Sequence, residues 1–207
     1  YCPAEVSKEE RSLAYLSGLG DLLSQVQVAD ETGPLPLEAG IERAIALILS
    51  RTTLGNKVLF IGNGGSAAIA SHQAVDYWKN GGMRALAFND PSLLTCISND
   101  FGYPYVFEKP LEMFAEPWDV LVAISSSGRS PNILGGVLAA RRRGCRVITL
   151  SGFAPDNPLR SAGDLNFYVP SYSYGYVEIC HLALCHCILD CIIQGKKVAP
   201  RDSLAVA

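Results

Sequence analysis

Several patterns that would assign this protein to a common functional class are missing from its sequence. No apolar run reaches the roughly 20 residues that a membrane-spanning helix needs, and the N-terminus lacks a basic region followed by an apolar run and a cleavage site. We therefore expect a cytoplasmic protein with no membrane partner. The formal net charge of -3 gives no general attraction to nucleic acid, so no nucleic-acid partner is expected either.

Sequence patterns for two common kinds of cofactor site are also absent. The seven cysteines contain no Cys-x-x-Cys pair, which argues against a cysteine zinc site. Four of them lie in one apolar helical stretch, where we expect small, buried and reduced side chains: Cys180, Cys185, Cys187 and Cys191. The glycine-rich turn at 62–66 fits neither the Gly-x-Gly-x-x-Gly pattern of dinucleotide sites nor the Gly-Lys-Ser/Thr ending of a nucleotide P-loop.

The composition is that of one globular domain. The chain has 207 residues, of which 49% are hydrophobic and 18% charged, enough for a sizeable core. Apolar residues at helical spacing predict two N-terminal helices, at 7–28 and 37–54, with a turn-rich connector at 30–36. These helices are more than one small domain needs to cover its sheet. We therefore expect residues 1–54 at an interface between subunits and residues 55–195 as the α/β core.

Beyond residue 57, short apolar runs alternate with helix-length segments. This alternation predicts a five-stranded parallel sheet covered on both faces, a three-layer α/β/α sandwich. The predicted strands are 58–61, 85–88, 120–124, 147–150 and 165–169. The predicted helices are 66–80, 91–98, 103–115, 131–143 and 176–194.

Two polar turns each follow a predicted strand and precede a predicted helix. The first is Gly62-Asn63-Gly64-Gly65-Ser66, and the second is Ser125-Ser126-Ser127-Gly128-Arg129-Ser130. Such turns present backbone N–H groups and the positive end of a helix dipole, which suit an anion. The alternative for the serine turn is that it only caps a helix. Because ligands bind beyond the carboxyl ends of parallel strands, two such turns predict a phosphorylated ligand.

All three histidines of the chain fall on two predicted helices. His72 and Asp76 are four residues apart and share one helix face, while Glu178, His181 and His186 lie on the last helix. Two histidines and two carboxylates from separate helices would suit Zn²⁺ or a similar divalent ion. The alternative for His72 and Asp76 is a hydrogen-bonded surface pair.

The set and order of these motifs resemble a known family. The glycine turn with its downstream His72, the stretch Asn99-Asp100-Phe101-Gly102, the Ser-x-Ser-Gly-x-Ser turn and the C-terminal helix with His186 resemble the phosphoheptose isomerases of the sugar isomerase (SIS) domain superfamily. The resemblance covers about residues 40–192. It implies a flavodoxin-like SIS domain in a homotetramer that converts sedoheptulose 7-phosphate into a heptopyranose 7-phosphate through an enediol. That branch also includes a non-catalytic regulator of replication initiation.

The resemblance also implies roles for individual residues. It assigns the metal, Zn²⁺ or another divalent ion, to His72, Asp76, Glu178 and His186, with Asp76 as catalytic base and His186 as its partner acid or base. It assigns substrate binding to Asn63, Gly64, Ser66, Asn99, Asp100, Ser125, Ser126, Ser127, Ser130 and Glu178. Two metal positions depart from the family's His, Glu, Gln and His: Asp76 replaces a glutamate, and Glu178 replaces a glutamine.

Three interpretations of function follow. The first is a phosphoheptose isomerase, an aldose-ketose isomerase. The second is a non-catalytic SIS module that binds a phosphosugar or a protein partner. The third is an isomerase of a different phosphosugar, to which the changes at Asp76 and Glu178 are adaptations. Asp100 either contacts the sugar or caps a helix.

Overall fold

A seven-stranded sheet organises the part of the chain that the computed structural model describes, residues 8–198, with side chains described for 11–196. The helices are α1 (Lys8–Ser24), α2 (Leu37–Thr52), α3 (Gly65–Lys79), α4 (Pro91–Asp100), α5 (Glu108–Phe114), α6 (Pro131–Arg142) and α7 (Tyr174–Val198). The strands are β1 (Gln27–Asp30), β2 (Gly33–Leu35), β3 (Val58–Gly62), β4 (Ala85–Ala87), β5 (Val120–Ser125), β6 (Arg146–Ser151) and β7 (Leu165–Tyr168). Short 3₁₀ helices span Tyr103–Tyr105 and Pro158–Ser161.

The five predicted strands are confirmed as a parallel core. The strand order is β2-β1-β7-β6-β5-β3-β4. The five strands β3 to β7 pair with one another in parallel. Every residue of β3 and β5 is buried, as expected for strands covered on both faces. The chain order reverses between β3 and β5, which pair from Val58 with Val120 to Gly62 with Ile124. Their carboxyl ends therefore lie side by side at the topological switch point, where open α/β sheets bind ligands.

Helices cover both faces of the sheet, which confirms the three-layer sandwich. One core cluster joins the sheet to α2, α3 and α7, with buried residues such as Ile48, Ile69 and Leu184. The second cluster joins the opposite face to α4, α5 and α6, with buried residues such as Leu111 and Val137. The helices α3 and α7 thus lie on the same side of the sheet and pack against each other.

The sheet is larger than predicted because residues 27–35 form a β-hairpin. The segment 30–36, predicted as a connector, contains β2, and β1 pairs antiparallel with both β2 and β7. The Asp30 carboxylate accepts hydrogen bonds from the N–H groups of Thr32 and Gly33, at 2.7 and 3.2 Å, and closes the turn. The first helix ends at Ser24 for the same reason, four residues before its predicted end.

The single helix predicted at 103–115 is divided. A 3₁₀ turn spans Tyr103–Tyr105, and α5 begins only at Glu108. Gly102 precedes the turn with φ of 96°, a left-handed conformation that ends the preceding helix, and Pro104 cannot donate a backbone hydrogen bond.

The last helix corrects two expectations. By length and composition alone, Tyr174–Lys196 is long and apolar enough to cross a membrane, contrary to the prediction that no run has that property. Because a core helix passes the same test, this is weak evidence, and α7 packs on the sheet through Val177, Leu184 and Ile188. The four cysteines of this helix also differ from one another: Cys180 and Cys185 are buried, but Cys187 and Cys191 are exposed.

Candidate functional site

The two polar turns meet in one cavity of about 230 Å³ at the switch point between β3 and β5. We call this cavity the switch-point pocket. Its lining residues are Asn63, Gly64, Gly65, Ser66, Ser125, Ser126, Ser127, Ser130, Tyr174 and Glu178. Seven of the predicted substrate-binding residues in the two turns are therefore brought together, and Glu178 joins them from α7.

The first turn brings the backbone close to the N-terminus of α3. A Cβ on Gly62 would overlap the backbone of Ser66, so this position requires glycine. Gly64 has φ of 53° and occupies the N-cap position, where no side chain caps the helix. The first N–H groups of a helix have no intrahelical acceptor. In α3 the N–H of Ala67 donates to carbonyls of the turn, whereas those of Gly65 and Ser66 have no acceptor among the described residues and are available to an anion.

The side chain of Asn63 supports the pocket through its neighbours. It exchanges two hydrogen bonds with Asn132 of α6, at 2.9 and 2.8 Å, and accepts a third from the Tyr103 hydroxyl at 3.0 Å. These bonds tie the first turn to the start of α6. The Asn63 side chain therefore positions the turn through its carbonyl oxygen and one amide N–H, and its second amide N–H has no acceptor among the described residues.

The second turn is held by its own serines. The Ser125 hydroxyl accepts a hydrogen bond from the N–H of Gly128 at 3.2 Å and lies 3.3 Å from the Ser130 hydroxyl. Gly128 has φ of 61°, and a Cβ there would overlap Asn157. Ser130 stands at the N-cap position of α6 but makes no side-chain capping bond. This geometry favours the anion-binding interpretation over a serine turn that only caps a helix.

Among the side chains described, those of residues 11–196, no lysine or arginine lines the switch-point pocket. Arg129 lies in the second turn, but it is exposed and paired with Asp156 at 2.7 Å. Arg84 donates to the carbonyl of Gly55, away from this end of the sheet. Any anion in the pocket would be held by hydroxyls and helix N-termini, which stabilise negative charge without a cation.

Glu178 is the one charged residue among those lining the pocket. Its carboxyl group packs directly over Gly65, the first residue of α3, and a Cβ at Gly65 would overlap it. In this conformation the carboxylate faces the pocket. The structure therefore does not place Glu178 with the other three predicted metal ligands.

Those three ligands form a cluster further along the same helices. One ligand atom each from His72, Asp76 and His186 lies within 4.8 Å of the others. The Asp76 carboxylate is 3.1 Å from His72 Nε2 and 4.0 Å from His186 Nδ1, and its other oxygen accepts from Asn80 at 3.1 Å. Two imidazoles and one carboxylate are a donor set that suits Zn²⁺ with an open coordination position. The residues present therefore fit a divalent metal.

The cluster and the pocket are neighbours along α3. His72 follows Ser66 by six residues, which is a rise of roughly 9 Å along a helix. The side chains of His72 and His186 are 53% and 37% exposed, whereas that of Asp76 is 15% exposed. An extended ligand anchored at the pocket could reach the cluster over this distance.

Asn99 and Asp100 are not brought to the pocket. Asp100 is the last residue of α4, where it accepts a hydrogen bond from the Asn99 amide at 2.9 Å. The alternative that Asp100 caps a helix is wrong, because the N-cap positions of α4, the 3₁₀ turn and α5 are taken by Asp90, Gly102 and Phe107. Asn99 lines a separate surface hollow with Tyr103. Their role in sugar binding stays a prediction.

Sequence reasoning did not select Tyr174 and Gly65, which both line the pocket. Gly65 was visible within the glycine turn, but its closeness to Glu178 depends on the packing of α7 against α3. Tyr174 lies in a polar stretch directly after the last strand, and its position at a strand's carboxyl end was the available signal.

His181 is the buried histidine of α7 and belongs to neither site. Its Nε2 donates to the carbonyl of Ser151 at 3.1 Å, whereas its Nδ1 has no hydrogen-bond partner among the described residues. Burial lowers the pKa of His181 to about 4, with the bond to Ser151 acting in the opposite direction. This histidine is therefore neutral at neutral pH and holds α7 against the end of β6.

Comparison with known proteins agrees with this geometry. Residues 14–152 match the family model of the SIS domain. The chain is 41% identical to a phosphoheptose isomerase of Sodalis glossinidius over 165 residues, which cover 77% of this chain and 84% of the relative. A phosphoheptose isomerase of Citrifermentans bemidjiense is 37% identical over 171 residues, covering 77% and 88%.

A solved structure has the same fold. The phosphoheptose isomerase of Neisseria gonorrhoeae superposes with a TM-score of 0.78 at 31% identity, covering 91% of this chain and 100% of that one. The family match spans more than half of the chain, and the relatives are similar over most of their length. The chain therefore belongs to the SIS-domain family and, within it, to the phosphoheptose isomerases.

Proposed function

We propose that this protein is an aldose-ketose isomerase that converts sedoheptulose 7-phosphate into a heptopyranose 7-phosphate. One observation carries the proposal: α3 begins in an anion-binding pocket and, two turns later, presents a histidine and a carboxylate to a histidine of α7. A phosphosugar bound by its phosphate would extend along α3 toward that cluster. The relatives named phosphoheptose isomerase support the choice of substrate.

The pocket would hold the phosphate end of the substrate. Ser66, Ser125 and Ser126 are almost fully buried, and the Ser125 hydroxyl is held by contacts with the N–H of Gly128 and the hydroxyl of Ser130. The N-termini of α3 and α6 add favourable dipoles. This binding energy would fix the sugar so that its reacting carbons lie at a constant distance from the phosphate.

The cluster would carry out the proton transfer. Ketose-aldose conversion moves a proton between adjacent carbons through an enediol, which requires a base near both carbons and an acid near the oxygens. Asp76 would take and return the carbon proton, because its carboxylate is central in the cluster and partly shielded from water. His186 would donate to and accept from the substrate oxygens.

A divalent metal, Zn²⁺ in our proposal, would be held by His72, Asp76 and His186. When bound, such an ion polarises carbonyl and hydroxyl oxygens and stabilises negative charge on them. The assignment of Glu178 as a fourth ligand stays a prediction, because its carboxylate packs over Gly65 in this conformation. Sugar contacts by Asn99 and Asp100 belong to the same proposal.

We also propose a cytoplasmic homotetramer in which residues 1–54 lie between subunits. The support is an exposed apolar surface: the side chains of Leu13 and Leu16 on α1 are 68% and 65% exposed, and Trp78 on α3 is 55% exposed. Free cysteines, six among the described residues, agree with a reducing compartment.

The test is turnover of sedoheptulose 7-phosphate by zinc-supplemented protein, followed by NMR of the products. We expect an aldose product from the wild type and none from Asp76→Ala. Asp190→Asn, which removes a carboxylate from the exposed face of α7, should retain wild-type turnover. Absence of turnover with this and other phosphosugars, while phosphate still binds, would favour a non-catalytic binding module. Turnover of another phosphosugar alone would favour the third interpretation.

A further inference from the structure

We infer that the Glu178 carboxylate is a built-in competitor for phosphate in the switch-point pocket. It occupies the N-terminus of α3 when no ligand is bound, and a phosphate group must displace it to enter. The inference rests on the proposed function for its ligand class. Beyond that function, it states that a side chain of the protein itself lowers the affinity of the pocket for phosphate.

The position of the carboxylate is the first observation. Glu178 reaches from α7 to the first residue of α3, so closely that a Cβ at Gly65 would overlap its carboxyl group. Gly64, at the N-cap position, offers no side chain to this helix end. The carboxylate therefore lies beside the helix end where the dipole of α3 favours a negative charge, although no N–H group of α3 donates a hydrogen bond to it.

The surroundings of the carboxylate are the second observation. Glu178 is partly buried and has no hydrogen-bond or ion-pair partner among residues 11–196, and no cation lines the pocket. A shielded carboxylate without a cation is stabilised by the dipole of α3 and the polar turn. Phosphate in the pocket would be stabilised by the same dipole.

The two anions cannot share this site. Phosphate in the pocket would lie beside a negative charge in a partly desolvated cavity, where like charges repel strongly. Phosphate therefore binds only as Glu178 moves away, and the apparent affinity falls by the cost of that movement. Removing the charge should increase the affinity for phosphate.

Titration calorimetry with inorganic phosphate tests the inference on full-length protein treated with a chelator. Metal removal ensures that any change arises in the pocket and not at the cluster. Glu178→Gln should bind phosphate on the order of 10-fold more tightly than wild type. Glu178→Ala should show a similar gain, because the cause is loss of a charge and not gain of an amide. Asp190→Asn, the same charge change on an exposed part of α7, should leave the affinity within about 2-fold.

The inference is overturned if Glu178→Gln and Glu178→Ala, with unchanged melting temperatures, bind phosphate no more tightly than wild type. It is also overturned if only the glutamine variant gains affinity, since a new amide contact would then be the cause. Phosphate binding with turnover but no gain overturns this inference alone. If neither wild type nor the variants bind phosphate and no phosphosugar is turned over, the proposed function falls with it.

Discussion

The switch-point pocket and the cluster of His72, Asp76 and His186 lie on the same two helices but are built in different ways. The pocket is made of backbone turns whose shape is fixed by glycines and buried serines. The cluster is made of side chains that project from the two helices, and both of its histidines are more than a third exposed. The pocket is lined by two backbone turns and by residues of α7, whereas the cluster presents its two histidines to solvent.

This difference separates binding from chemistry. In the proposed function an anion is held largely by helix dipoles, so the pocket should tolerate changes of individual side chains. In the proposed function, proton transfer depends on the positions of a few side-chain atoms, so each residue of the cluster should be indispensable. Substitutions in the two regions should therefore have separable effects on affinity and on turnover.

The largest separation is expected for His186→Ala. In the proposed function His186 is a proton donor and a metal ligand, so its removal should lower kcat by about 1000-fold or more. Affinity for inorganic phosphate should stay within about 2-fold of wild type, because His186 lies outside the pocket. Steady-state kinetics and calorimetry on the same preparation check both halves. A parallel loss of phosphate binding would contradict the separation of the two regions.

The next largest effect is on the pH dependence of folding stability, and it arises from His181 of α7, the helix that carries residues of both regions. His181 has a pKa of about 4 in the folded chain against an ordinary value of 6.5, so the unfolded chain binds more protons between these values. The stability that comes from neutral His181 is fully present above about pH 6.5 and is lost as the pH falls toward 4. The loss amounts to roughly 3 kcal/mol.

Urea denaturation between pH 7 and 4 measures this loss. The His181→Gln variant should lack that share of the pH dependence, whereas His72→Gln, at an exposed position, should retain it. Identical pH profiles for wild type and His181→Gln would contradict the expectation.

A smaller effect is expected for a change in the shape of the pocket. A Cβ in Gly62→Ala meets the Ser66 backbone, so the first turn must shift, and contacts to phosphate are lost. The affinity for phosphate should fall roughly 10- to 100-fold. Gly20→Ala on α1, where a Cβ meets nothing within 4 Å, is the matched control. Calorimetry of both variants decides whether the backbone shape is essential.

The smallest effect is expected for Tyr103→Phe, which removes one hydrogen bond to Asn63. Because Asn63 remains paired with Asn132, KM for the phosphosugar should rise by only about 2- to 5-fold and kcat should not change. Tyr105→Phe is a suitable control, since the Tyr105 hydroxyl has no hydrogen-bond partner in the described part of the chain. A change in kcat would show that the first turn also positions the reacting end.

The parallel core and the pocket could be predicted from sequence because they depend on local patterns. Buried parallel strands are continuous apolar runs. The anion-binding turns that join such strands to helices are recognisable because they are rich in glycine and serine. The pairing of β3 with β5 then brings the turns together without any further information. The hairpin was missed because strands of four and three residues, one with a glycine and a proline, have the composition of a loop.

The side-chain details could not be predicted in the same way. His72, Asp76 and His186 meet because helical spacing places them on the facing sides of α3 and α7, and spacing is visible in sequence. The conformation of Glu178 depends on its rotamer and on the absence of a side chain at Gly65. Asp100 lies away from the pocket because of where α4 ends and how the chain turns at Gly102. Hydrophobic periodicity in the sequence predicts neither feature.

The hairpin has a further consequence for behaviour at high concentration. A parallel sheet that ended at β7 would offer a row of unpaired backbone groups to a neighbouring chain, which invites intermolecular strand addition. Here β1 covers that row, and the new edge, β2, has three residues with an exposed Pro34 that cannot donate to a further strand. The β2 side of the sheet thus resists aggregation through edge-to-edge pairing.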